Sequence, residues 1–586
     1  MWLLPWHPES SLRSKYDVDD RVTTYDDKSI FTLFEGREKD KPCDNKVSIF
    51  KFEYQDSNKS LIDHAKQYLK RIKTIRHPSV LKYLDSYETE KSICIVTEAV
   101  APLASIFEER PPFSNDVLKN EKELLPQYGL LQVAKFLQFL NNDCQLNHNN
   151  INIHSIFINE SGIWKVGGFE YICPIDDSPP PRFDKLPEKY TPPERINPTK
   201  GRFPGKPYAV DSWGFGCLVW EYFNQPLTPS SSLRIAGKIP KPLSVFYNKL
   251  VQSSPKHRIS PMDFVKDCKE ANVFFNSPLL EIVLTLEEIY LLQDATEKAE
   301  FFERVKNSYH KFPKNFGQEK ILPELINAFE YGAAGPTILD PILAVVKICF
   351  LSGDSIGANS KVKPHIVKWF GLKDRAVRSK LLLSISSYIN LFDESEVNEK
   401  IFPQLAQGFR DSNPLIREQT VRSLIHLAPL LNSKNLNEGA LKELERLSTF
   451  DEENGIRANS TVCLGKIAKH LNSQTQQTIL IPTLLRTLRD RFPPARQAAV
   501  AGLLTNESMI CVKDCATKVM PALCHLCIDP EMNIRQLAFK SLRLLIERVQ
   551  THSEKEVAPK PNSSATDSHT VSEPAGPQLN TTSSKD

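Results

Sequence analysis

Five arginines recur along the C-terminal half of the chain at nearly equal intervals. Arg378, Arg417, Arg457, Arg496 and Arg535 are spaced by 39 or 40 residues. Asp411, Asp451, Asp490 and Asp529 each stand six residues before an arginine, whereas Asp374 stands four before Arg378, so the first unit is imperfect. Prolines recur with them at Pro323, Pro364, Pro403, Pro482 and Pro521. Three features sharing one period require tandem units of two helices each. The last second helix carries Ile534, Leu537, Ala538, Leu542, Leu545 and Val549 on one face. A unit this small cannot bury such a stripe alone, so residues 320–550 must stack into an all-α solenoid. The Asp/Arg ladder could hold an acidic ligand. Pairing between repeats fits better, because stacked repeats depend on neighbour contacts, and the five arginines are assigned that structural role.

The N-terminal half has a different texture. Ile30 to Phe34 and Val47 to Phe52 alternate like strands, and Ile93 to Glu98 reads as a buried strand. Leu61–Arg76 and Tyr128–Asn142 read as helices, giving an α+β unit. Three triplets follow: His148-Asn149-Asn150, Gly168-Phe169-Glu170 and Pro192-Pro193-Glu194. In a protein kinase these places read His-Arg-Asp, Asp-Phe-Gly and Ala-Pro-Glu, in this order. Residues 1–270 therefore resemble a protein kinase whose chemical groups have been exchanged.

The exchanges fall on the groups that do the work. The lysine of the kinase Val-Ala-Ile-Lys strand is replaced by Phe50 in Val47-Ser48-Ile49-Phe50, and Lys51 comes one residue late, on the other face. From His64 to Arg76 there is no acidic residue to pair with a strand lysine. In the catalytic loop Asn149 replaces the arginine, Asn150 the basic aspartate, Asn152 the lysine and Ser155 the metal-binding asparagine, while Gly168 replaces the second metal ligand. An amide cannot accept a hydroxyl proton as a carboxylate does, and glycine offers Mg²⁺ nothing. The region of the phosphate loop holds one glycine, Gly36. We expect no catalytic residue, no cofactor, no metal and no enzymatic activity. What remains is architectural: Asp211, which in kinases caps the catalytic-loop backbone, and Glu194, which in kinases pairs with an arginine, here Arg258.

The 586 residues exceed one core and imply several domains. Net charge is +3, from 74 basic and 71 acidic residues, which gives no bulk argument for nucleic-acid binding. Lys66, Lys70 and Lys73 read as a solvated helix face, with a basic partner-binding stripe as the sharper alternative. No apolar run reaches membrane-spanning length, and Leu339 to Leu351, the longest, is broken by Asp340 and Lys347. The 12 cysteines are scattered, as in reduced intracellular proteins. Cys511, Cys515, Cys524 and Cys527 read as buried core thiols rather than a zinc site. The expected organisation is multidomain: a kinase-like domain over 1–270, a helical connector over 271–319 packed between domains, repeats over 320–550, and a disordered Ser/Thr/Pro-rich tail over 551–586.

A period near 40 with two helices per unit is the HEAT/armadillo pattern. An inactive α+β protein-kinase-like fold followed by an all-α HEAT-repeat solenoid resembles the Scy-like pseudokinase family. The likeness is carried locally by Met1-Trp2, Thr97-Glu98-Ala99-Val100, Gly237-Lys238-Ile239-Pro240-Lys241, Ile416 to Val421 and Thr461 to Ile467. The resemblance implies an inert scaffold in COPI-coated retrograde traffic from Golgi to endoplasmic reticulum. It implies protein partners, coatomer or small-GTPase machinery, and a cytoplasmic location peripheral to Golgi membranes. Other members are linked to nuclear tRNA export, which implies tRNA or export factors as the alternative partners. Members commonly end in basic residues that bind the coat. This sequence ends Ser584-Lys585-Asp586, so we expect no coat binding through its terminus.

Overall fold

The computed structural model describes Leu12 and residues 14–39, 45–107, 124–175, 187–196, 206–332, 334–351 and 357–557. Compactness divides the chain into two units, Met1–Leu391 and Phe392–Asp586.

The first unit opens with an antiparallel five-stranded sheet in the order β1-β2-β3-β5-β4. The strands are β1 (Tyr16–Arg21), β2 (Thr32–Glu38), β3 (Lys46–Glu53), β4 (Tyr83–Glu88) and β5 (Ser92–Glu98). Strand β3 is central, with Phe50 opposite Leu33 of β2 and Ile95 of β5. Its run Val47-Ser48-Ile49-Phe50, rich in β-branched and aromatic residues, is buried, as a strand paired on both edges requires. Helix α1 (Ile62–Thr74) turns His64, Ala65, Tyr68, Leu69 and Ile72 inward, at helical spacing. Its Lys66, Lys70 and Lys73, and Arg76 beyond it, are exposed.

The second layer of this unit is mainly helical. Helix α2 (Leu124–Gln138) is apolar nearly all round and buried on nearly every side. The short strands β6 (Val100–Pro102), β8 (Ile156–Asn159) and β9 (Trp164–Val166) form a three-stranded sheet, while β7 (Leu146–Asn147) pairs with β10 (Cys173–Pro174). Helix α3 (Ala209–Asn224) runs through the core with Trp213, Phe215, Cys217, Leu218 and Val219 buried.

Compactness does not break at 270 or 319. Helix α4 (Pro278–Glu287) lies against α2, where Tyr128 Oη donates to Glu287 at 2.7 Å and the Ser277 amide donates to Gln127 Oε1 at 3.2 Å. Lys320 joins the same carboxylate at 2.8 Å, and the Phe316 ring meets Tyr128 edge-on at 5.5 Å.

The second unit is made of helix pairs. The second helices are α5 (Pro414–Leu427), α6 (Asn454–Ile467), α7 (Pro493–Thr505) and α8 (Met532–Val557), each packed on the next. Pro403, Pro482 and Pro521 lie inside the helical runs 394–406, 473–487 and 512–525, where a proline removes an intrahelical bond and its ring crowds the preceding turn. A widened π-turn precedes each, at Val397–Ile401, Gln476–Leu480 and Cys515–Val519.

Three expectations are corrected. Gly36 lies within β2 opposite Val47, not in a phosphate loop, and the β1–β2 connection (22–31) contains no glycine. Helix α8 continues to Val557, beyond the expected start of the tail at 551. Thr551 to Glu556 contain good helix formers and no proline, and Gln550 donates to Glu554 one turn on, at 2.8 Å. The remainder of the tail, 558–586, lies outside the described residues, as do Met1 and Trp2. Of the four clustered thiols only Cys515 is buried. Cys511 and Cys524 are exposed, because Leu523 and Leu526 take the core-facing positions and Cys511 caps a helical turn, accepting from the Asp514 amide. Among the described residues no helix is long and apolar enough to cross a membrane.

Candidate functional site: an aromatic-filled cleft

Four separate segments send rings into the space beneath β3. The Phe50 ring stands edge-on to Phe157 of β8 at 5.4 Å and to Tyr25 at 6.3 Å. Tyr25 comes from a short 3-10 turn in the β1–β2 connection and also meets Phe157 at 5.6 Å. From α1, Tyr68 reaches Phe50 at 6.4 Å, Phe31 at 4.9 Å and Phe169 at 5.5 Å. Phe169 continues the series to His148 at 5.6 Å. None of these side chains is more than 2% exposed. Tilted and edge-to-face contacts of this kind add to the stabilisation from burial alone. The nearby cavity lined by Gly36, Ser48, Ala99 and Ala101 holds about 170 Å³. A small-molecule site usually has about 300 Å³ or more; the open hollow beside it, lined by Lys46, Val47, Glu98 and Ala99, holds about 380 Å³.

Lys51 points away from this cluster and pairs with Glu53 at 2.6 Å. Below the rings, the polar loop is stapled by its own amides. Asn150 donates to the Gly168 carbonyl at 3.4 Å, and Asn152 donates to Asn150 Oδ1 at 2.9 Å. Ser155 Oγ accepts from the Asn152 amide at 3.1 Å and donates to its carbonyl at 2.9 Å. Asn149 has φ +68°, which asparagine tolerates better than most residues. Its side chain donates to the Tyr171 carbonyl at 2.8 Å and accepts from Arg195 at 2.7 Å. Asp211 receives the His148 and Asn149 amides at 2.9 Å each and the Asn141 side chain at 2.7 Å. Burial raises the Asp211 carboxyl above its ordinary value against the pull of those donors. Burial also pushes the His148 imidazole down to about 3, so it stays neutral while bonding the Gly167 carbonyl at 3.0 Å.

Gly168 has φ +73°, and a Cβ there would stand 2.7 Å from Ser155 Cβ and 3.0 Å from Asn150 Nδ2. Both the backbone conformation and the space call for glycine. Next to it, Glu170 is 3% exposed; its Oε1 accepts from Ser29 at 3.4 Å and its Oε2 has no partner among the described residues. Burial pushes its carboxyl up to about 7. Neither Glu170 nor the ring partners of Phe50 were singled out in the sequence. The only hint was local: Tyr25 in a connection without glycine, and Tyr68 one turn after His64 on the buried face of α1.

Two ion-pair systems use none of these residues. Arg258 donates to both oxygens of Glu194, at 2.6 and 2.7 Å, to the Ala209 carbonyl at 2.9 Å, and stacks over Trp213 at 5.0 Å. Its side chain is 0% exposed and that of Glu194 10%. In the second unit, Arg417 clasps Asp451 at 2.8 and 3.0 Å, Arg457 clasps Asp490 at 2.8 and 3.1 Å, and Arg496 clasps Asp529 at 2.7 and 2.9 Å. Each carboxylate belongs to the following repeat. The aspartate six residues before gives its arginine a backbone carbonyl, as Asp411 does to Arg417 at 3.0 Å. Arg378 lies in the helix that Asp374 caps through the Ala376 and Val377 amides.

A kinase-like domain with a filled cleft, followed by paired helices clasped from repeat to repeat, defines the class. Residues 32–260 match the protein tyrosine and serine/threonine kinase family, and residues 376–497 match the non-SMC mitotic condensation complex subunit 1 family. The crystal structure of Cex1p superposes with a TM-score of 0.59 over 95% of this chain and 100% of that one, at 20% identity, a likeness of fold. The probable inactive serine/threonine-protein kinase scy1 of Dictyostelium discoideum is 35% identical over 91% of this chain. The protein kinase domain-containing protein ppk3 of Schizosaccharomyces pombe is 27% identical over 89% of this chain and 78% of its own length. The chain is similar to the SCY1-like kinase-like proteins over most of its length. It spans 63% of the length of the Dictyostelium relative.

Proposed function

We propose that this chain is a catalytically inactive, kinase-like scaffold that joins proteins of COPI-linked Golgi-to-ER retrograde transport. The observation that carries the inactive reading is the packing of Phe50 among Tyr25, Tyr68 and Phe157. Phosphoryl transfer depends almost wholly on positioning and charge stabilisation. Mg–ATP does not fit here: rings occupy the space under the central strand, and the loop positions offer amides, a hydroxyl and a glycine where metal ligands and a base are needed. The name of the Dictyostelium relative agrees with this reading. A solenoid of repeats offers the extended surface that a scaffold uses. The transport assignment rests on the local sequence likeness to the Scy-like family.

A second reading is a cytoplasmic adaptor in nuclear tRNA export. It draws on the exposed Lys66, Lys70 and Lys73 of α1 and on a yeast relative named cytoplasmic export protein 1, 23% identical over 93% of this chain. One binding comparison separates the two. Purified full chain is immobilised and offered purified coatomer, and in parallel titrated with tRNA across a salt series. Coatomer retention without a tRNA shift is expected. A tRNA complex with the steep salt slope of phosphate contacts, and no coatomer retention, would replace the transport reading with the export reading.

A further inference from the structure

The fourth residue after each ladder arginine is hidden in every repeat of the second unit but the last. Val421, Thr461 and Val500 are each 0% exposed, on helices that pack against the next second helix. Their counterpart on α8 is Phe539, 49% exposed. Met532 and Ile546, seven residues to either side, are 60% and 51% exposed. At that spacing the three side chains form one stripe along the outer face of α8. The ladder ends at the same place. Arg535 is anchored like its predecessors, with Nη1 donating to the Asp529 and Pro530 carbonyls at 2.7 and 2.8 Å. Among the described residues its Nε and Nη2, the atoms that clasp an aspartate in the three earlier rungs, meet no carboxylate.

We propose that this end of the solenoid is a docking surface for an acidic amphipathic helix of a partner protein. A carboxylate of that helix takes the two open N–H groups of Arg535, and its apolar stripe covers Met532, Phe539 and Ile546. The surface continues an interface that the chain builds three times over, in which the carboxylate comes from the turn just before the helix that packs alongside. Charge selects the occupant. Arg535, Lys540 and Arg543 flank the stripe, against Glu531 and Glu547. A second copy of the chain, packed antiparallel about Phe539, would set Arg535 against Arg543 of the other copy, and like charges so placed oppose association. The chain's own residues 558–586 hold Val571 and Leu579 as their large aliphatics, too few to supply an apolar stripe.

The test uses the full chain and a labelled synthetic helix of about 20 residues, roughly the 30 Å needed to follow α8. The helix carries leucine on one face and glutamate elsewhere; a control carries lysine in place of glutamate. Anisotropy should report binding of the glutamate helix only. Phe539→Asp, at an exposed position, and Arg535→Gln should each weaken it about tenfold or more, as loss of a charge-assisted hydrogen bond or its apolar cover implies. Arg543→Glu, which touches no ladder contact, should weaken it at an unchanged melting temperature. Four results would overturn the proposal. They are failure of the glutamate helix to bind, equal binding of the lysine helix, binding that appears only once residues 558–586 are removed, or a dimer in light scattering that Phe539→Asp dissociates.

Discussion

Phe50 removes a cation from the central strand and puts a ring in the middle of an aromatic cluster, so one exchange both deletes a charge and closes a space. Glu170 shows the strain of that closure. An acid whose folded value lies above its unfolded one holds its proton more tightly in the folded chain. Its cost is therefore absent below the ordinary value of 4.5, and it grows as pH rises to about 7. Glu170→Gln should stabilise the protein by roughly 3 kcal/mol at pH 8 and by little at pH 4.5. Thermal unfolding at the two pH values reads this; no stabilisation at pH 8 would mean the carboxyl is solvated, and a stabilisation independent of pH would mean that its charge is not the cause. Gly168→Asp should not restore a metal site; Mg²⁺ should leave its melting temperature unchanged, which itself should fall, because the new side chain meets Ser155 and Asn150 at a positive φ. Spacing alone put Asn150 and Gly168 eighteen residues apart in the sequence. The convergence of Tyr25, Tyr68 and Phe157 had only a faint local signal, the place of Tyr68 on the buried face of α1, since contact between distant segments is a property of the fold.

At the scale of elements, the chain is held by arginine–carboxylate clasps. Glu194→Ala would leave the fully buried Arg258 guanidinium without its partner and should cost about 3–5 kcal/mol. Unfolding like the parent protein in denaturant would show the pair to be dispensable. In the ladder, hydrogen bonds from Arg496 hold the Asp529 carboxyl below its ordinary 3.8. A depressed acid contributes stability that is fully present above its unfolded value and is lost as pH falls through the folded one. Arg496→Met should cost about 1.5–3 kcal/mol at neutral pH, and the gap to the parent should close below about pH 3.8. A gap that stays constant into acid would assign the loss to side-chain packing. The period of the repeats was legible because three residue types share it. Pairing between repeats was legible too; which aspartate each arginine takes was not, because the sequence shows one six residues before Arg417, Arg457 and Arg496, whereas the clasping carboxylate lies 33 or 34 residues after. Likewise α8 outruns the composition shift at 551, since Glu and Lys extend a helix as readily as they make a tail.

For the whole molecule, composition announced several bodies but not where they divide. The apolar segment near 280 reads as helix in sequence, and only its contacts with Gln127 and Tyr128 place it inside the first unit. The central claim is that the kinase-like domain has become a solid support, with binding left to surfaces. The most direct measurement is thermal unfolding of the full chain with and without Mg–ATP, read alongside transfer of labelled phosphate. The account predicts an unchanged melting curve and no transfer at any nucleotide concentration. Stabilisation approaching about 2.7 kcal/mol, as a hundredfold excess over Kd would give, together with phosphate transfer, would contradict it.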